Sequence, residues 1–202
     1  MTRGTLIVFV KAPLAGRVKT RLAREIGIGR AAVLFRRMCE RTIGEAAKGG
    51  WRNILAVDPP AALHAEFPVW PRHFERMAQV AGDLGGRMSA AIASVESGPV
   101  VVIGADAPGL RAAHLHDAFS MLGRADAVFG PAEDGGYWLI GLARRKPAPD
   151  LFKNVRWSSR DALADTIASL PRDFHVDYLP VLRDIDAAAD LDAVGPILLS
   201  AR

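Results

Sequence analysis

Residues 11–22 read KAPLAGRVKTRL and follow directly on an apolar run. Pro13 and Gly16 mark a turn, and Lys11, Arg17, Lys19 and Arg21 crowd cations around it. Lysine supplies a point charge and arginine a bidentate fork, so a loop of this kind can surround a polyphosphate. It can equally be a basic surface turn. A second segment, GADAPGL at 104–110, sets Asp106 just past another apolar run, where a carboxylate could hold Mg²⁺ or Mn²⁺ against phosphate oxygens. The competing role is an Asx turn or a helix cap. A third, GPAEDGGYWL at 130–139, offers Glu133 and Asp134 to a metal, an acceptor hydroxyl or a sugar. Gly135 and Gly136 would let backbone approach a ligand closely, although a tight hairpin would use the same residues. In a fourth, RDID at 183–186, Asp184 and Asp186 lie two apart and share a face if the chain is extended. They suit a second metal ligand or the cap of a last helix.

Other chemistries find no support. The GIGRAA of residues 27–32 fits a dinucleotide fingerprint in letters only, because no strand precedes it, and it reads as a break between two helices. No Walker A loop, nucleophile elbow or zinc-type histidine spacing occurs. The one cysteine, Cys39, allows no internal disulfide, and a cytoplasmic location is the expectation. Residues 1–41 carry ten basic and two acidic side chains, whereas the rest of the chain has a small acidic excess. That asymmetry points to a phosphate site, with carboxylates supplied from elsewhere. Nucleic-acid binding lacks an aromatic-rich basic stripe or a recognisable binding motif. Arg36, Arg37 and Arg41 read as the wet face of a helix.

These segments need a scaffold. Strands are expected over 5–10, 54–57, 99–103, 127–129, 137–142 and 174–181, with helices after residue 17, over 30–47, from Asp83 to about 95, over 111–122 and over 187–198. Strands alternating with helices predict an α/β fold, a single Rossmann-like sandwich around a mostly parallel mixed sheet, with one antiparallel excursion at 127–142. All 202 residues fit a single domain, and no apolar run is long enough to span a bilayer.

Taken in order, the segments above, the DLGGRM of residues 83–88, the DIDAAADL of 184–191 and Phe152 with the VRWSS of 155–159 resemble one family. These are the bacterial rSAM/selenodomain-associated transferases, assigned as glycosyltransferases within the nucleotide-diphospho-sugar transferase (GT-A) superfamily and related to 2-phospho-lactate and molybdenum-cofactor guanylyltransferases. The resemblance covers nearly the whole chain. It implies a GT-A fold with a nucleotide at the first strand. Lys11, Arg17, Lys19 and Arg21 would meet phosphates, Asp106 would bind metal, and Asp184 or Asp186 would be a second ligand. Arg87 is a further candidate. Pro13, Gly16, Gly104, Gly135 and Gly136 would border the nucleotide, and Lys19, Glu133 and Asp134 would take the catalytic roles.

The expected function is a Mg²⁺- or Mn²⁺-dependent transferase that moves a sugar from a nucleoside diphosphate to a small-molecule acceptor. Nucleotidyl transfer from a triphosphate to a phosphorylated acceptor is the alternative, and a non-catalytic nucleotide-binding module is the reading from another class. Nucleic acid and membrane are not expected partners; oligomeric state is left open.

Overall fold

A computed structural model of the chain describes residues 4–148 and 150–183. Asp184, Asp186 and the helix expected over 187–198 lie outside the described residues. The elements run β1 (Thr5–Lys11), α1 (Thr20–Ile26), α2 (Ile28–Ala46), β2 (Arg52–Asp58), β3 (Glu75–Ala78), α3 (Leu84–Ala93), β4 (Val100–Gly104), α4 (Ala112–Met121), β5 (Ala127–Pro131), β6 (Tyr137–Leu142), α5 (Ala162–Ala168) and β7 (Val176–Tyr178). The strands form one sheet in the order β3-β2-β1-β4-β6-β5-β7. Strand β6 runs antiparallel to both β4 and β5, and the other pairings are parallel. The fold is therefore α/β with a mostly parallel mixed sheet, the antiparallel excursion falling at 127–142.

The apolar strands sort by parity onto two cores. Leu6, Val8 and Val10 face one side of the sheet with Leu55, Val57, Val101 and Ile103, and they meet Phe35, Cys39 and Ile43 of α2 and Leu115 and Ala118 of α4. Ile7, Ile54, Ala56, Val100 and Val102 face the other side and meet Met88, Ala91 and Ile92 of α3. A strand covered on both faces must be apolar at every position, which is why β1 reads as an unbroken run. Each large side chain taken out of water contributes roughly 1.5–3 kcal/mol.

Helix ends are tied by particular residues. Asp83 caps α3 by accepting from the Gly86 N–H at 2.8 Å. Glu45, reaching from α2, accepts at 2.8 Å from the N–H of Ala112, the first residue of α4. Gly27, at φ +90°, separates α1 from α2, as the sequence around it suggests. The basic stretch after β6 has a structural use. Arg144 donates to the carbonyls of Val95 and Glu96, Arg145 to those of Leu122 and Ala125, and Lys146 to Asp126. These cations close the sheet's far end.

Two elements escape the sequence reading. Strand β3 is four residues long at the edge, with Glu75 fully engaged by the Arg52 guanidinium on β2 at 2.6 and 2.5 Å. Helix α5 spans only two turns. The late strand is also shorter than expected, at Val176–Tyr178.

The turn from β5 to β6 depends on Gly135, which sits at φ +87° and donates to the Ala132 carbonyl at 3.2 Å. A Cβ there would collide with the backbone carbonyl of Arg160. Gly135→Ala is expected to destabilise the protein by about 1–3 kcal/mol, read as a lower urea midpoint with unchanged slope.

Candidate functional site

Parallel strands end on one edge, and ligands in open α/β sheets sit outside those carboxyl ends. Here a cleft of about 700 Å³ opens there, over the ends of the neighbouring strands β1 and β4. Its lining includes Lys11, Lys19, Arg21, Gln79, Asp83, Arg87, Gly104, Asp106, Trp157 and Ser158.

At its centre the Lys19 Nζ lies 2.9 Å from Asp106 Oδ2. The lysine side chain is only 10 % exposed, the aspartate 42 %. An ammonium so withdrawn from water requires a counter-charge, and Asp106 supplies it. Lys19 is also held at φ 44° and ψ 48°, a left-handed conformation that costs a non-glycine residue about 1–2 kcal/mol. Strain of this sort persists where surrounding contacts over-determine it, commonly at functional sites.

The loop that carries Asp106 is anchored on two sides. Its Ala105 N–H donates to the Phe9 carbonyl of β1 at 3.0 Å. From α2, the Thr42 hydroxyl donates to the Ala107 carbonyl at 3.1 Å, and Arg41 Nε donates to that of Pro108 at 2.8 Å. Arg41 is thus not merely wet surface: its guanidinium reaches the loop behind Asp106. Asp106 does not cap α4, whose N-cap is Arg111. Gly104 leaves room for the carboxylate, since a Cβ there would stand 3.1 Å from Asp106 Oδ1. Beneath the pair lies Cys39, whose thiol is pushed far up by burial, with Asp106 adding to the shift and Lys19 opposing it. Its role is packing.

Arg87 enters the cleft from α3. It donates to the Gly82 carbonyl at 2.9 Å and stands 3.7 Å from Asp58 at the end of β2. Of the other residues singled out in the sequence, Pro13, Gly16 and Arg17 form the turn after β1 but do not line the cleft. The turn holds Pro13 buried and Gly16 at φ +78°. Glu133, Asp134, Gly135 and Gly136 form the β5–β6 turn on the same sheet edge, outside the cleft lining. Asp134 Oδ1 accepts from the Gly136 N–H at 2.8 Å, whereas Glu133 is exposed and 3.8 Å from Arg183.

Among the described residues no three His, Cys, Asp or Glu side chains converge as a cation cage. Asp106 nonetheless fits a hard divalent ion: its carboxylate is aimed into the cleft and already faces a cation, the Lys19 ammonium. Mg²⁺ in phosphate sites is commonly held by one or two carboxylates, the substrate's phosphates and water.

Trp157 and Ser158, like Gln79 and Asp83, line the cleft but were not among the site residues expected from the sequence. Trp157 and Ser158 belong to a loop braced by ion pairs. Arg156 makes a two-pronged pair with Asp165, at 2.8 and 2.9 Å, and a third contact with Asp161 at 2.8 Å. The W-S-S signature was the available signal.

Comparisons with known proteins agree with this architecture. Residues 42–159 match the model of the family described as "Uncharacterized protein conserved in bacteria (DUF2064)". No protein of curated function matches the sequence. Among solved structures, a Desulfovibrio desulfuricans G20 protein provisionally named a nucleotide-diphospho-sugar transferase superposes with a TM-score of 0.83 at 28 % identity, over 98 % of both chains. Rv0371c of Mycobacterium tuberculosis H37Rv, solved in complex with manganese, gives 0.59 at 18 % identity over 99 % of this chain and all of its own. The inositol-1-phosphate CTP transferase of T. maritima gives 0.60 at 14 %, over 98 % of this chain and 96 % of its own. The fold is that of nucleotide-diphospho-sugar transferases and nucleotidyltransferases. No helix among the described residues is long and apolar enough to cross a membrane.

The Arg156–Asp165 pair makes a pH signature. Hydrogen bonds from Arg156 hold the Asp165 carboxyl down to about 2, below its usual 3.8. A carboxyl lowered in the folded state stabilises at pH above its unfolded value, and that contribution disappears as pH falls from about 4 to 2. Thermal midpoints measured from pH 5 to pH 2 should therefore fall more steeply for the parent chain than for Asp165→Asn.

Proposed function

The chain belongs to the DUF2064 family, and we propose that it is a transferase that takes a sugar from a nucleoside diphosphate, with a divalent cation at Asp106. The observation that carries this reading is the 2.9 Å approach of Lys19 to Asp106 inside a cleft also lined by Lys11, Arg21 and Arg87. Basic residues from the start of the chain and a carboxylate from its middle meet in one cleft of about 700 Å³. The D. desulfuricans protein, similar over nearly the whole chain, supports a sugar nucleotide as donor.

The roles follow from charge and reach. Lys19 and Lys11 would neutralise phosphate oxygens as point charges, and Arg21 and Arg87 would grip them in pairs. A divalent ion, when bound at Asp106, would supply Lewis-acid stabilisation of the leaving diphosphate. Asp184 and Asp186 remain candidates for a further ligand. Pro13, Gly16 and Arg17 would shape the loop around the phosphates rather than line the cleft, while Gly104 gives Asp106 its room. Glu133 is the better candidate base, because the Asp134 carboxylate already accepts from the Gly136 N–H. It would take the proton of an acceptor hydroxyl while that oxygen bonds to the anomeric carbon and the carbon–oxygen bond to the diphosphate breaks. Fixed charges that need no reorganisation would supply most of the rate.

Nucleotidyl transfer is the second reading. The four cations at the cleft favour it, because departing pyrophosphate carries more charge than a departing nucleoside diphosphate. Release of pyrophosphate from GTP or CTP in the presence of a phosphorylated acceptor would put it first.

Calorimetry with UDP, GDP, UDP-glucose, GDP-mannose, GTP and CTP, with and without Mn²⁺, tests the assignment. Lys19→Ala is expected to weaken nucleotide binding by about 1.5–3 kcal/mol, as the loss of a charged hydrogen bond requires. Asp106→Ala should abolish the Mn²⁺-dependent part of binding with the far-UV spectrum unchanged. An unfolded Asp106→Ala variant would make that carboxylate structural, and nucleotide binding indifferent to Mn²⁺ would remove the metal from the scheme.

A further inference from the structure

The segment from Phe152 to Ser159 packs Phe152 into the core on the α3 side of the sheet and Trp157 against it, and its backbone is strained and braced. Three of its non-glycine residues have positive φ: Phe152 at 70°, Asn154 at 60° and Ser158 at 58°. For an aromatic residue such as Phe152 this is a true outlier, and each left-handed residue costs about 1–2 kcal/mol. The bracing is mutual and local. The Phe152 N–H donates to the Ser169 hydroxyl at 3.0 Å, the Arg156 N–H to Asp165 at 3.0 Å, and the Ser159 hydroxyl to the Arg156 carbonyl at 2.7 Å. The Arg156 side chain adds its pairs with Asp161 and Asp165. What the strap delivers is Trp157 and Ser158, both on the wall of the cleft.

The seat for the indole is prepared as well. A Cβ on Gly85 would stand 2.9 Å from Trp157 Cζ2 and 2.8 Å from Phe152 Cβ. Glycine inside a helix costs roughly 0.5–1 kcal/mol relative to alanine, and here that cost admits the aromatic ring. Tyr137 meets Trp157 edge to face at 6.4 Å between ring centroids. The indole Nε1 is buried with no hydrogen-bond partner, a further cost accepted at this place. Just after the strap, in α5, the Leu163 N–H donates to the Gly135 carbonyl of the β5–β6 turn at 3.1 Å. Within the strap, Trp157 lies against α3, the helix that carries Arg87. The strap and α5 together thus link the acidic turn to the helix that brings Arg87 to the cleft.

We propose that Trp157 and Ser158 form a preorganised wall for the sugar ring of a nucleoside-diphosphate sugar, the indole covering the ring's apolar C–H face and the Ser158 hydroxyl meeting its hydroxyls. This rests on the transferase reading above and assigns it a specificity-determining pair. An aromatic side chain offers a large apolar surface at little conformational cost, which suits a ring that is polar at its rim and apolar on its faces. A wall fixed in advance by strain and ion pairs avoids the ordering cost a mobile loop would incur on binding.

The test compares each nucleoside diphosphate with its own sugar conjugate on the same variant, so any general loss of stability cancels. With Mn²⁺ present, calorimetry is run with UDP against UDP-glucose and GDP against GDP-mannose. For Trp157→Ala, affinity for the better sugar nucleotide should fall at least tenfold while the matching diphosphate stays within twofold. Trp157→Phe should restore most of the difference. Equal losses for diphosphate and conjugate would overturn the proposal by putting the indole on the base or the phosphates, and no loss for either would leave the wall without a ligand. Failure of every nucleotide to bind the parent protein would overturn the transferase reading itself, a result distinct from those two.

Discussion

A lysine ammonium with little access to water is intolerable without a negative partner, and the arrangement of this molecule's functional edge follows from that constraint. Lys19 leaves the turn after β1 in a left-handed conformation, and the carboxylate that meets it arrives on the loop after β4. Bringing them together requires β1 and β4 to be neighbours in register, as their pairing from Thr5–Val100 to Phe9–Gly104 makes them. It also requires the Asp106 loop to be rigid, hence the hydrogen bonds from Thr42 and Arg41 behind it. Partner, strand order and anchoring helix all serve one charge pair. Because a withdrawn ammonium recovers its desolvation cost only when its partner is well placed, fixed geometry is worth more here than additional charge.

Much of this was open to reading in the chain itself, for physical reasons that differ by element. β1, β2 and β4 are apolar at consecutive positions because both their faces are covered, and that signal has few mimics. Asp83 announces α3, since a capping aspartate before a glycine-rich turn has little other use. The basic turn and Asp106 stood out by residue type and by falling just after strands. By contrast β3 has the sequence ERMA, with Glu75 and Ala78 exposed, and nothing in four residues separates an edge strand from a loop. α5 is too short to display a helical period. Arg41 was read as solvated because a sequence cannot report that a carbonyl 67 positions later comes within its reach.

The cleft's second wall was hidden for another reason. Trp157 and Ser158 carry no charge, and a tryptophan in a loop normally reads as packing. Its significance emerges only from the company it keeps: positive φ at three positions, a glycine cut out to receive the ring, and two aspartates engaged by one arginine. Charged chemistry is visible in letters, whereas shape chemistry becomes visible only in coordinates. The basic residues 144–146 are the converse case. In sequence they are a basic stretch of a surface loop, and their donors are taken up by carbonyls and by Asp126.

Nearly all the hydrogen bonds and ion pairs that shape the strap, from Phe152 to Ser169, fall within that one stretch of chain. The charged groups that line the cleft, by contrast, are scattered over β1, α1, α3 and the loop after β4. A chain built this way can exchange one contiguous cassette without disturbing the electrostatic centre. Replacing that stretch as one block, with its aspartates and its receiving glycine kept, is accordingly the economical route by which evolution or an engineer could reshape that wall of the cleft while leaving the Lys19–Asp106 pair untouched.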